Sequence, residues 1–560
     1  MIKNIARIVI SSNILLCALP VNAAPAPVVP DAGQTIRELQ QQRELNPPKS
    51  TPPLQPEEAA PQQERPPADV RMMVSSFQIS GNSVIATAKL EALLADMVGS
   101  EHTLADLNDA AARITSYYHE RGYILSRAYI PPQEIKDGTV MINVQEGKIG
   151  ERRVNNQSRL SDKIADGYLD AIKSGDVLQA APVDRALLLL NDTPGVGAAR
   201  ATLQPGASAG LSDLVVELSP SATYFANIQA DNYGNYFTGE YRLGAELAIN
   251  SPLKIGDLVT MRAMASDQNL RYAYLAYQVP LGSSGLRLGA TFSGTRYILE
   301  NEFVTLRTQG TATIGSLFTV YPFIRSQKTN LSGILTLENK KFTDEYLNAS
   351  VIAEKQAKVA TLGLTFDHQD TLGAGGMTML NLSLAKGKLS MDETSLVIDE
   401  ATANTNGPFS RVNYMLNRIQ LLNTRSSLFL SLSGQLANKN LNSSEQFSLG
   451  GAYGVRAYPQ GEAMGDEGNL ATIELRNNLS QKLQAVLFYD AGSVIFNREP
   501  YLPGANTRFI SGGGAGVNAK VFGADFKVYA AVRGSGGIPT AEPYVSDNKT
   551  RWWLQLSKYF

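Results

Sequence analysis

Cysteine and histidine are scarce in this sequence, which has one Cys and three His among 560 residues. A disulfide within the chain is therefore excluded, and a zinc site of His and Cys ligands lacks the ligands it needs. No charge sign dominates, because 50 Lys and Arg face 52 Asp and Glu. The basic excess typical of nucleic-acid-binding proteins is missing, and no GxxxxGK[ST] run offers a nucleotide site. We therefore expect no nucleic acid partner, no metal and no other cofactor.

Long hydrophobic runs are also scarce, and the most prominent one opens the chain. It extends from Ile8 to Leu19, about 12 residues, which is short for a bilayer span. Lys3 and Arg7 precede it, and Val21-Asn22-Ala23 follows with compact residues. This pattern predicts a signal peptide over residues 1–23. An uncleaved anchor is one alternative, and a lipoprotein site at Cys17 is another. Signal removal would leave a Cys-free chain, which suits the bacterial envelope.

Proline concentrates in residues 24–69, which hold 11 of the 27 prolines. Within this segment Thr35 to Leu45 contains neither Pro nor Gly and is rich in helix formers. Its few apolar residues predict a helix that is polar all round and suited to an aqueous cavity, or no stable helix. The Pro-rich run after it predicts an extended tether that could reach about 60 Å.

Two consecutive segments then share one order of elements. Residues 70–149 predict a strand, two helices and two strands, with Thr103 and Asp106 placed to cap the second helix. In that helix apolar residues recur at spacings of three and four and predict one buried face; they are Leu104, Leu107, Ala111, Ile114 and Tyr118. Residues 150–221 repeat the order, with Ser161 expected to cap a helix that extends through Tyr168 to Ile172. Two modules of one topology indicate a repeat.

Helical periodicity is nearly missing from residues 222–560, where apolar and polar residues alternate. In Ser427 to Leu436, for example, the leucines face one way and the serines the other. Segments of about ten residues with one apolar and one polar face are typical of outer-membrane barrels. Allowing about 21 residues for each strand and its turn predicts an even number near 16. A soluble β-sandwich or propeller is the alternative.

Several motifs resemble the transporters of two-partner (type V) secretion, the TpsB family of ShlB-, FhaC- and HecB-like haemolysin secretion/activation proteins. This family belongs to the superfamily of outer-membrane barrels preceded by POTRA domains. The resemblance covers nearly the whole chain. The motifs are Thr103–Leu107, Tyr118–Tyr123, Arg127–Gln133 and Val144–Ile149 in the first module, Asp231–Gly234 with Thr238-Gly239 at the start of the barrel, and Tyr321-Pro322 with Ile324–Ser326 further on.

The resemblance implies a mainly β fold: a 16-stranded antiparallel transmembrane barrel preceded by two βααββ POTRA domains and an N-terminal plug helix. The implied segments are 1–23 (signal peptide), 24–69 (plug helix and linker), 70–149 and 150–221 (POTRA domains) and 222–560 (barrel). The helix near residues 35–45 would plug the pore. Phe560 would be the C-terminal signal for barrel assembly.

Two further motifs of the family carry mechanism. Val455, Arg456, Ala457 and Tyr458 resemble the VRGY motif of a long loop that folds into the lumen, with Ala457 where the family usually has Gly. Phe488, Asp490 and Gly492 resemble the FxDxG motif of a barrel strand. The resemblance implies that Arg456 pairs with Asp490 inside the pore. A planar guanidinium suits this role because it can bind a carboxylate in bidentate fashion.

The implied function is secretion of a partner exoprotein, of adhesin, hemagglutinin or hemolysin type, through an outer-membrane barrel with its POTRA domains in the periplasm. POTRA strand edges would bind the partner by β-augmentation. Outer-membrane lipid and the barrel-assembly machinery are the other expected partners. One alternative is an assembly factor that inserts other barrels. An outer-membrane hydrolase is a further alternative, but His368 has no GxSxG motif to accompany it, and no enzyme is expected.

Overall fold

The computed structural model describes residues 30–40, 55–56, 71–208, 210–542 and 548–560. The signal peptide expected at 1–23 and most of the expected linker lie outside these residues. The first described elements are helix α1 (Ala32–Gln40) and the short strand β1 (Gln55–Pro56). Within the described part of the chain, no helix is long and apolar enough to cross a membrane.

The first module packs helices against a small sheet. The strand Ser76–Ser80 pairs in parallel with Thr139–Gln145, which pairs antiparallel with Arg127–Tyr129. The strands Arg71–Val74 and Ser100–Thr103 form a separate pair. Thr103 and Asp106 form the expected capping box, and the expected stripe is buried except for Leu104, in the first turn. The elements are β2 (Arg71–Val74), β3 (Ser76–Ser80), α2 (Thr87–Ala92), a 3₁₀ turn (Ala95–Met97), β4 (Ser100–Thr103), α3 (Leu104–Glu120), β5 (Arg127–Tyr129) and β6 (Thr139–Gln145).

The second module repeats the order strand, two helices, two strands. Its elements are β7 (Lys148–Asn156), α4 (Asp162–Gly167), α5 (Ala180–Asn191), β8 (Val196–Pro205) and β9 (Leu211–Pro220). Lys148 and Ile149 belong to β7, so this module begins two residues before the expected boundary. The expected extension of α4 to Ile172 is wrong, because the helix ends at Gly167, a residue that weakens helices. Ser161 precedes α4 but makes no side-chain capping bond.

The edge of the second sheet carries a segment from the N-terminal region. The sheet order is β1-β8-β9-β7, and β1 pairs in parallel with β8. Gln55 lies opposite Thr202, and Pro56 lies opposite Leu203. Residues 55–56, which lie between α1 and the first module in the sequence, are therefore attached to the second module.

The remaining sheet is the expected closed barrel of 16 antiparallel strands, and β10 pairs with β27 to close it. The barrel strands are β10 (Tyr224–Asp231), β11 (Arg242–Asn250), β12 (Leu258–Ser266), β13 (Arg271–Pro280), β14 (Arg287–Ile298), β15 (Thr308–Arg325), β16 (Thr329–Tyr346), β17 (Val351–Asp370), β18 (Gly376–Met391), β19 (Gly407–Leu421), β20 (Ser426–Ala437), β23 (Glu467–Ser480), β24 (Leu483–Ile495), β25 (Thr507–Val521), β26 (Ala524–Arg533) and β27 (Thr550–Tyr559).

Short elements lie in the loops of the barrel. They are 3₁₀ turns at Asn301–Leu306, Leu347–Ala349 and Ser443–Glu445, helix α6 (Glu393–Glu400) and the paired strands β21 (Phe447–Ser448) and β22 (Met464–Gly465). The last three-residue turn, β21 and β22 all belong to the segment 438–466 between β20 and β23. We call this segment the lumen loop.

Two polar contacts fix which end of the barrel faces the modules. Arg325, at the end of β15, binds Asp192 of the second module at 2.6 Å. The Ser161 amide donates to the Lys254 carbonyl oxygen, in the turn between β11 and β12, at 2.9 Å. The lumen loop connects strands at the opposite end.

Candidate functional site

The site is the barrel lumen, which is occupied by α1 and by the lumen loop. Successive residues of a strand point to opposite faces, so every second side chain of the wall faces the lumen. These inward side chains contact α1 and the lumen loop. Arg456, Glu445 and Glu462 of the loop are all buried. The lumen loop therefore folds back into the barrel.

Arg456 and Asp490, the expected pair, are in direct contact. Nε and Nη2 of Arg456 donate to the two carboxylate oxygens of Asp490, each at 2.8 Å. The backbone amide of Arg456 donates to the same carboxylate at 3.1 Å. Asp490 is fully buried, and Thr472 on the neighbouring strand donates to it at 2.9 Å. The bidentate geometry fixes both the position and the orientation of the guanidinium.

A second carboxylate completes this arrangement. Nη1 of Arg456 donates to Glu474 on β23 at 2.6 Å, and Glu474 also binds Arg476. The motif comparison missed Glu474. The register could have indicated it, because Glu474 lies directly opposite Phe488 on β24. Two wall carboxylates thus hold one loop guanidinium.

Aromatic side chains enclose the same guanidinium. Its central carbon lies 3.5 Å from the centroid of the Phe488 ring, a cation–π contact. The indole Nε1 of Trp553, on β27, donates to the Arg456 carbonyl oxygen at 2.7 Å. Strands β24 and β27 therefore both contact this one loop residue.

The neighbours of Arg456 explain how alanine is accommodated where the family usually has glycine. Ala457 does not have a positive φ, so its Cβ causes no backbone strain. A Cβ added to Gly512 would lie 2.2 Å from the Ala457 Cβ, so the space for this methyl group comes from the wall.

The other motif residues are also packed. Tyr458 is buried and donates to the carbonyl oxygens of Ser535 and Gly537, each at 3.0 Å. Val455 is also buried, and its amide donates within the loop to Leu449. A Cβ on Gly492 would lie 2.4 Å from Leu449 Cδ1.

Two more loop carboxylates bind the barrel, and neither was expected. Glu462 accepts from the backbone amides of Thr540 and Ala541 and pairs with Arg508 at 2.6 Å. Glu445, also fully enclosed, pairs with Lys340 at 2.7 Å and with Arg411 at 2.9 Å. These contacts join residues between 34 and 105 positions apart, which residue spacing alone does not reveal.

Helix α1 lies between the wall and the lumen loop. Ser443 of the loop donates to Asp31 at 2.6 Å, and the Ala32 amide donates to Asp344 of β16 at 2.9 Å. Nε of Arg37 donates to the loop carbonyl of Gln446 at 3.0 Å. Asn235 donates to Glu38 at 3.1 Å. Every turn of this short helix therefore has a polar contact inside the barrel.

The expectation that α1 has no buried apolar face is wrong, because Ala32 and Ile36 are both buried. Ile36 is only 2% exposed. It belongs to an apolar cluster that also includes Tyr297, Phe342, Phe409 and Leu441. The helix begins at Ala32, three residues before the expected start, and the expected residues 41–45 lie outside the described chain. The lumen wall thus supplies an apolar seat that the helix sequence alone does not indicate.

The family motif around Val144–Ile149 centres on a buried carboxylate in the first module. Glu146 accepts from the amides of Ser83 and Val84 at 2.8 and 3.0 Å, from the Ser83 hydroxyl, and from the Tyr118 hydroxyl at 2.8 Å. Burial raises the pKa of this carboxyl, but these donors outweigh burial and hold the pKa below its ordinary value. Burial and the bond to Glu146 raise the pKa of Tyr118. Glu146 therefore joins three separate segments of the module.

Phe560 directly follows the last strand, β27, and lies on the outer face of the barrel. Its side chain is largely exposed, and its amide donates to Ala226 of the first barrel strand at 2.9 Å. Trp552, Leu554 and Leu556 also face outward, whereas Trp553 faces the lumen. A role for Phe560 in barrel assembly stays a prediction.

A closed antiparallel barrel with an apolar outer face, an inserted helix, an inserted loop and preceding α/β modules defines a class. It is the outer-membrane barrel with POTRA domains. The sequence model for the haemolysin secretion/activation protein ShlB/FhaC/HecB matches residues 210–519, and that for the ShlB-type POTRA domain matches residues 72–147.

Individual proteins agree with these matches. The chain is 30% identical over 474 residues to the heme/hemopexin transporter protein HuxB of Haemophilus influenzae strain 86-028NP, covering 83% of each chain. Its fold is similar to CdiB from Escherichia coli, with a TM-score of 0.76, 19% identity, and 96% of this chain and 100% of the other covered. It is more distantly similar to BamA from Haemophilus ducreyi lacking POTRA domains 1–3, with a TM-score of 0.51, 14% identity, and coverage of 87% and 100%.

This chain belongs to the haemolysin secretion/activation protein family, ShlB/FhaC/HecB. Members of the family are outer-membrane transporters of two-partner secretion, with POTRA domains in the periplasm and large secreted exoproteins as partners. The chain is thus an outer-membrane transporter of this type, and its lumen loop faces the cell exterior.

Proposed function

We propose that this transporter binds one large exoprotein in the periplasm and passes it, unfolded, through the lumen after α1 has left. The observation that carries the proposal is that α1 fills the lumen without being part of the wall. It contacts the wall and the loop through hydrogen bonds, one ion pair and a single large, fully buried side chain, Ile36. Such a segment can leave without opening the barrel.

The proposed roles of the motif residues follow from their contacts. Arg456 and Asp490, with Glu474, hold the lumen loop against the wall while the polypeptide passes. Val455, Ala457 and Tyr458 pack the loop beside Phe488, and Gly492 leaves room for it. We assign no catalytic role to any of these residues, and the proposed function requires no enzyme activity. The proposed segments are residues 70–147 and 148–221 for the two POTRA domains and residues 222–560 for the barrel.

The proposed binding surface for the exoprotein is the set of open strand edges in the modules. In the first sheet the edge strands are β3 and β5. An extended peptide can add to such an edge through main-chain hydrogen bonds with little sequence demand. During biogenesis the barrel-assembly machinery would bind the last strand, which ends in Phe560.

A disulfide between α1 and the lumen loop tests the proposal. A Cβ on Gly33 would lie 2.4 Å from the Ser443 Oγ and 2.8 Å from the Ser444 amide nitrogen, so α1 must shift slightly away from the loop to accept the new side chain. The two segments are then close enough for the Cβ atoms to reach the ~3.5–4.5 Å separation that a disulfide requires. The double variant Gly33→Cys/Ser443→Cys has no competing thiol once the expected signal peptide is removed. Because the loop is continuous with β20 and β23, the oxidised helix cannot leave. We expect export to stop on oxidation and to resume after reduction.

The two single-Cys variants are the matched controls, and both should export under either condition. Normal export by the oxidised double variant would contradict the proposal. The architecture is shared with BamA, so an assembly factor is the second candidate. A pull-down from the periplasm separates the two, because a secretion transporter should recover one large exoprotein and an assembly factor many barrel proteins.

A further inference from the structure

Four lysines form a cluster on the outer surface of the barrel wall. They face outward from three neighbouring strands and are all exposed: Lys341 on β16, Lys358 on β17, and Lys386 and Lys388 on β18. Lys358 lies directly opposite Lys388 in the strand register, and Lys341 lies opposite Gln356, two residues along β17 from Lys358. We call these residues the outer-wall lysine cluster.

The cluster lies directly at the end of an exposed apolar belt. The outward residues nearer the modules are Leu335 and Leu337 on β16, Leu362 and Leu364 on β17, and Leu380, Leu382 and Leu384 on β18, each about 40–60% exposed. The lysines begin about 10–12 residues from the module-side ends of their strands, close to the 9–11 residues that a tilted strand needs to cross a bilayer. They therefore lie at the boundary between hydrocarbon and headgroups.

The boundary is the one on the cell exterior. The turn between β15 and β16 contacts the second module through Arg325 and Asp192, so this end of the barrel faces the periplasm. Strands β16 and β17 extend from that end past the lysines to the turn at Leu347–Ala349. The lysines thus meet the outer leaflet.

The charge of the cluster has no partner within the described residues. The neighbouring inward lysines are neutralised, since Lys340 pairs with Glu445 and Lys355 pairs with Asp31. No ion pair joins a described carboxylate to any of the four outward lysines. The nearest outward acids, Glu354 and Asp392, are directly opposite each other beyond the cluster, where Asp392 accepts from the Glu354 amide at 2.8 Å. Like charges directly opposite each other across strands, as at Lys358 and Lys388, are unfavourable without a counter-ion.

We propose that the outer-wall lysine cluster binds the phosphate groups of a phosphorylated lipid in the outer leaflet. The long lysine stems can lie along the apolar wall while the ammonium groups reach the headgroup region. Side chains on adjacent strands are about 5 Å apart and diagonal neighbours about 7–8 Å apart, so their ammonium groups can converge on one or two phosphates. The acyl chains of the same lipid then cover the leucine belt. This site is separate from the lumen and does not depend on the proposed secretion mechanism.

The test is lipid retention by the full-length protein. Protein folded in nanodiscs of phosphatidylcholine and diphosphoryl lipid A is released into native mass spectrometry, and bound lipid A is counted. Each lysine near a charged headgroup contributes about a fivefold change in binding, so replacing all four with Gln should lower retention at least tenfold. The corresponding four-Arg variant should retain the lipid. A matched control replaces four lysines at the module-side end of the barrel, Lys254, Lys328, Lys482 and Lys520, with Gln and should behave as wild type.

Folding of each variant is checked by the heat-dependent shift in gel mobility. If the four-Gln barrel does not fold, Lys358→Gln/Lys388→Gln removes only the opposed pair and should lower retention severalfold. Wild-type retention by either folded Gln variant would overturn the proposal. Equal retention of lipid A without phosphates would also overturn it, as would complete displacement of the lipid by inorganic phosphate.

Discussion

The lumen loop and helix α1 fill the same cavity but are held differently. At Arg456 two wall carboxylates bind one loop guanidinium, and an aromatic ring covers it. Helix α1 instead has single hydrogen bonds at each turn and one fully buried large side chain, Ile36. A helix of nine residues is marginal in water by itself, so α1 depends on its seat. The difference supports our proposal that the loop stays attached to the barrel wall and that the helix can leave.

The largest expected effect is loss of the loop contact in Asp490→Ala. This change leaves Arg456 buried with Glu474 alone, and breaking a buried ion pair costs about 3–5 kcal/mol. We expect a lower unfolding temperature in detergent and a loss of export in cells. Arg498→Ala is the control, because its ion pair is 3.5 Å long and its side chain is 51% exposed. If both variants were equally stable, the loop would not be fixed through Asp490.

The second expected effect concerns the helix. Ile36→Ala removes the buried contact, at a cost of about 2 kcal/mol to the seated state. That cost corresponds to an increase of about 30-fold in the ratio of open to plugged barrels, which single-channel recordings in planar bilayers can measure. Leu39→Ala, at a half-buried position, should have a smaller effect. Global unfolding should change little, and an unchanged open fraction would show that the seat does not hold α1.

The third prediction tests the fit between loop and wall. In Gly512→Ala the new methyl group would meet the Ala457 methyl at 2.2 Å and the Val532 carbonyl at 2.8 Å. Overpacking of this kind costs about 1–3 kcal/mol. Adding Ala457→Gly removes the closer contact and should recover part of the unfolding temperature. The same low stability with and without Ala457→Gly would place the strain elsewhere.

The smallest expected effect concerns Glu146, a buried carboxylate that accepts hydrogen bonds from neutral donors only. It is a reference for Asp490, which binds a guanidinium. The pKa of Glu146 is below the ordinary value in the folded module, so its bonds stabilise the module above pH ~4.5, and this contribution is lost as pH falls through the lower folded value. The protection factors of first-module amides in the full-length protein, which compare exchange with its intrinsic rate at each pH, should therefore fall in acid. In Glu146→Gln the first-module amides should exchange faster near neutral pH, because the opening free energy falls by about 1–2 kcal/mol. Their protection should also depend less on pH. An unaltered pH dependence in this variant would assign acid sensitivity to other groups.

The sequence predicted the architecture better than it predicted the lumen. Alternation in segments such as Ser427 to Leu436 is a local property of each strand and therefore indicated the barrel. Family motifs indicated the Arg456–Asp490 contact, which alternation alone could not. The Glu445 contacts with Lys340 and Arg411 depend on how the loop folds, because they join residues far apart in sequence. Ile36 was missed for the same reason, since the apolar seat is built by other strands.

The pairing of β1 with β8 limits how far a released α1 can travel. Fourteen residues separate Gln40 from Gln55, so even a fully extended chain keeps the helix within about 50 Å of the second module. Return to the lumen is then an intramolecular event, with an effective concentration of the order of millimolar for a short linker. Resealing should therefore be independent of protein concentration and should follow each passage without a separate plug protein. Lengthening the segment between α1 and β1 should slow that resealing in proportion to the volume the helix explores.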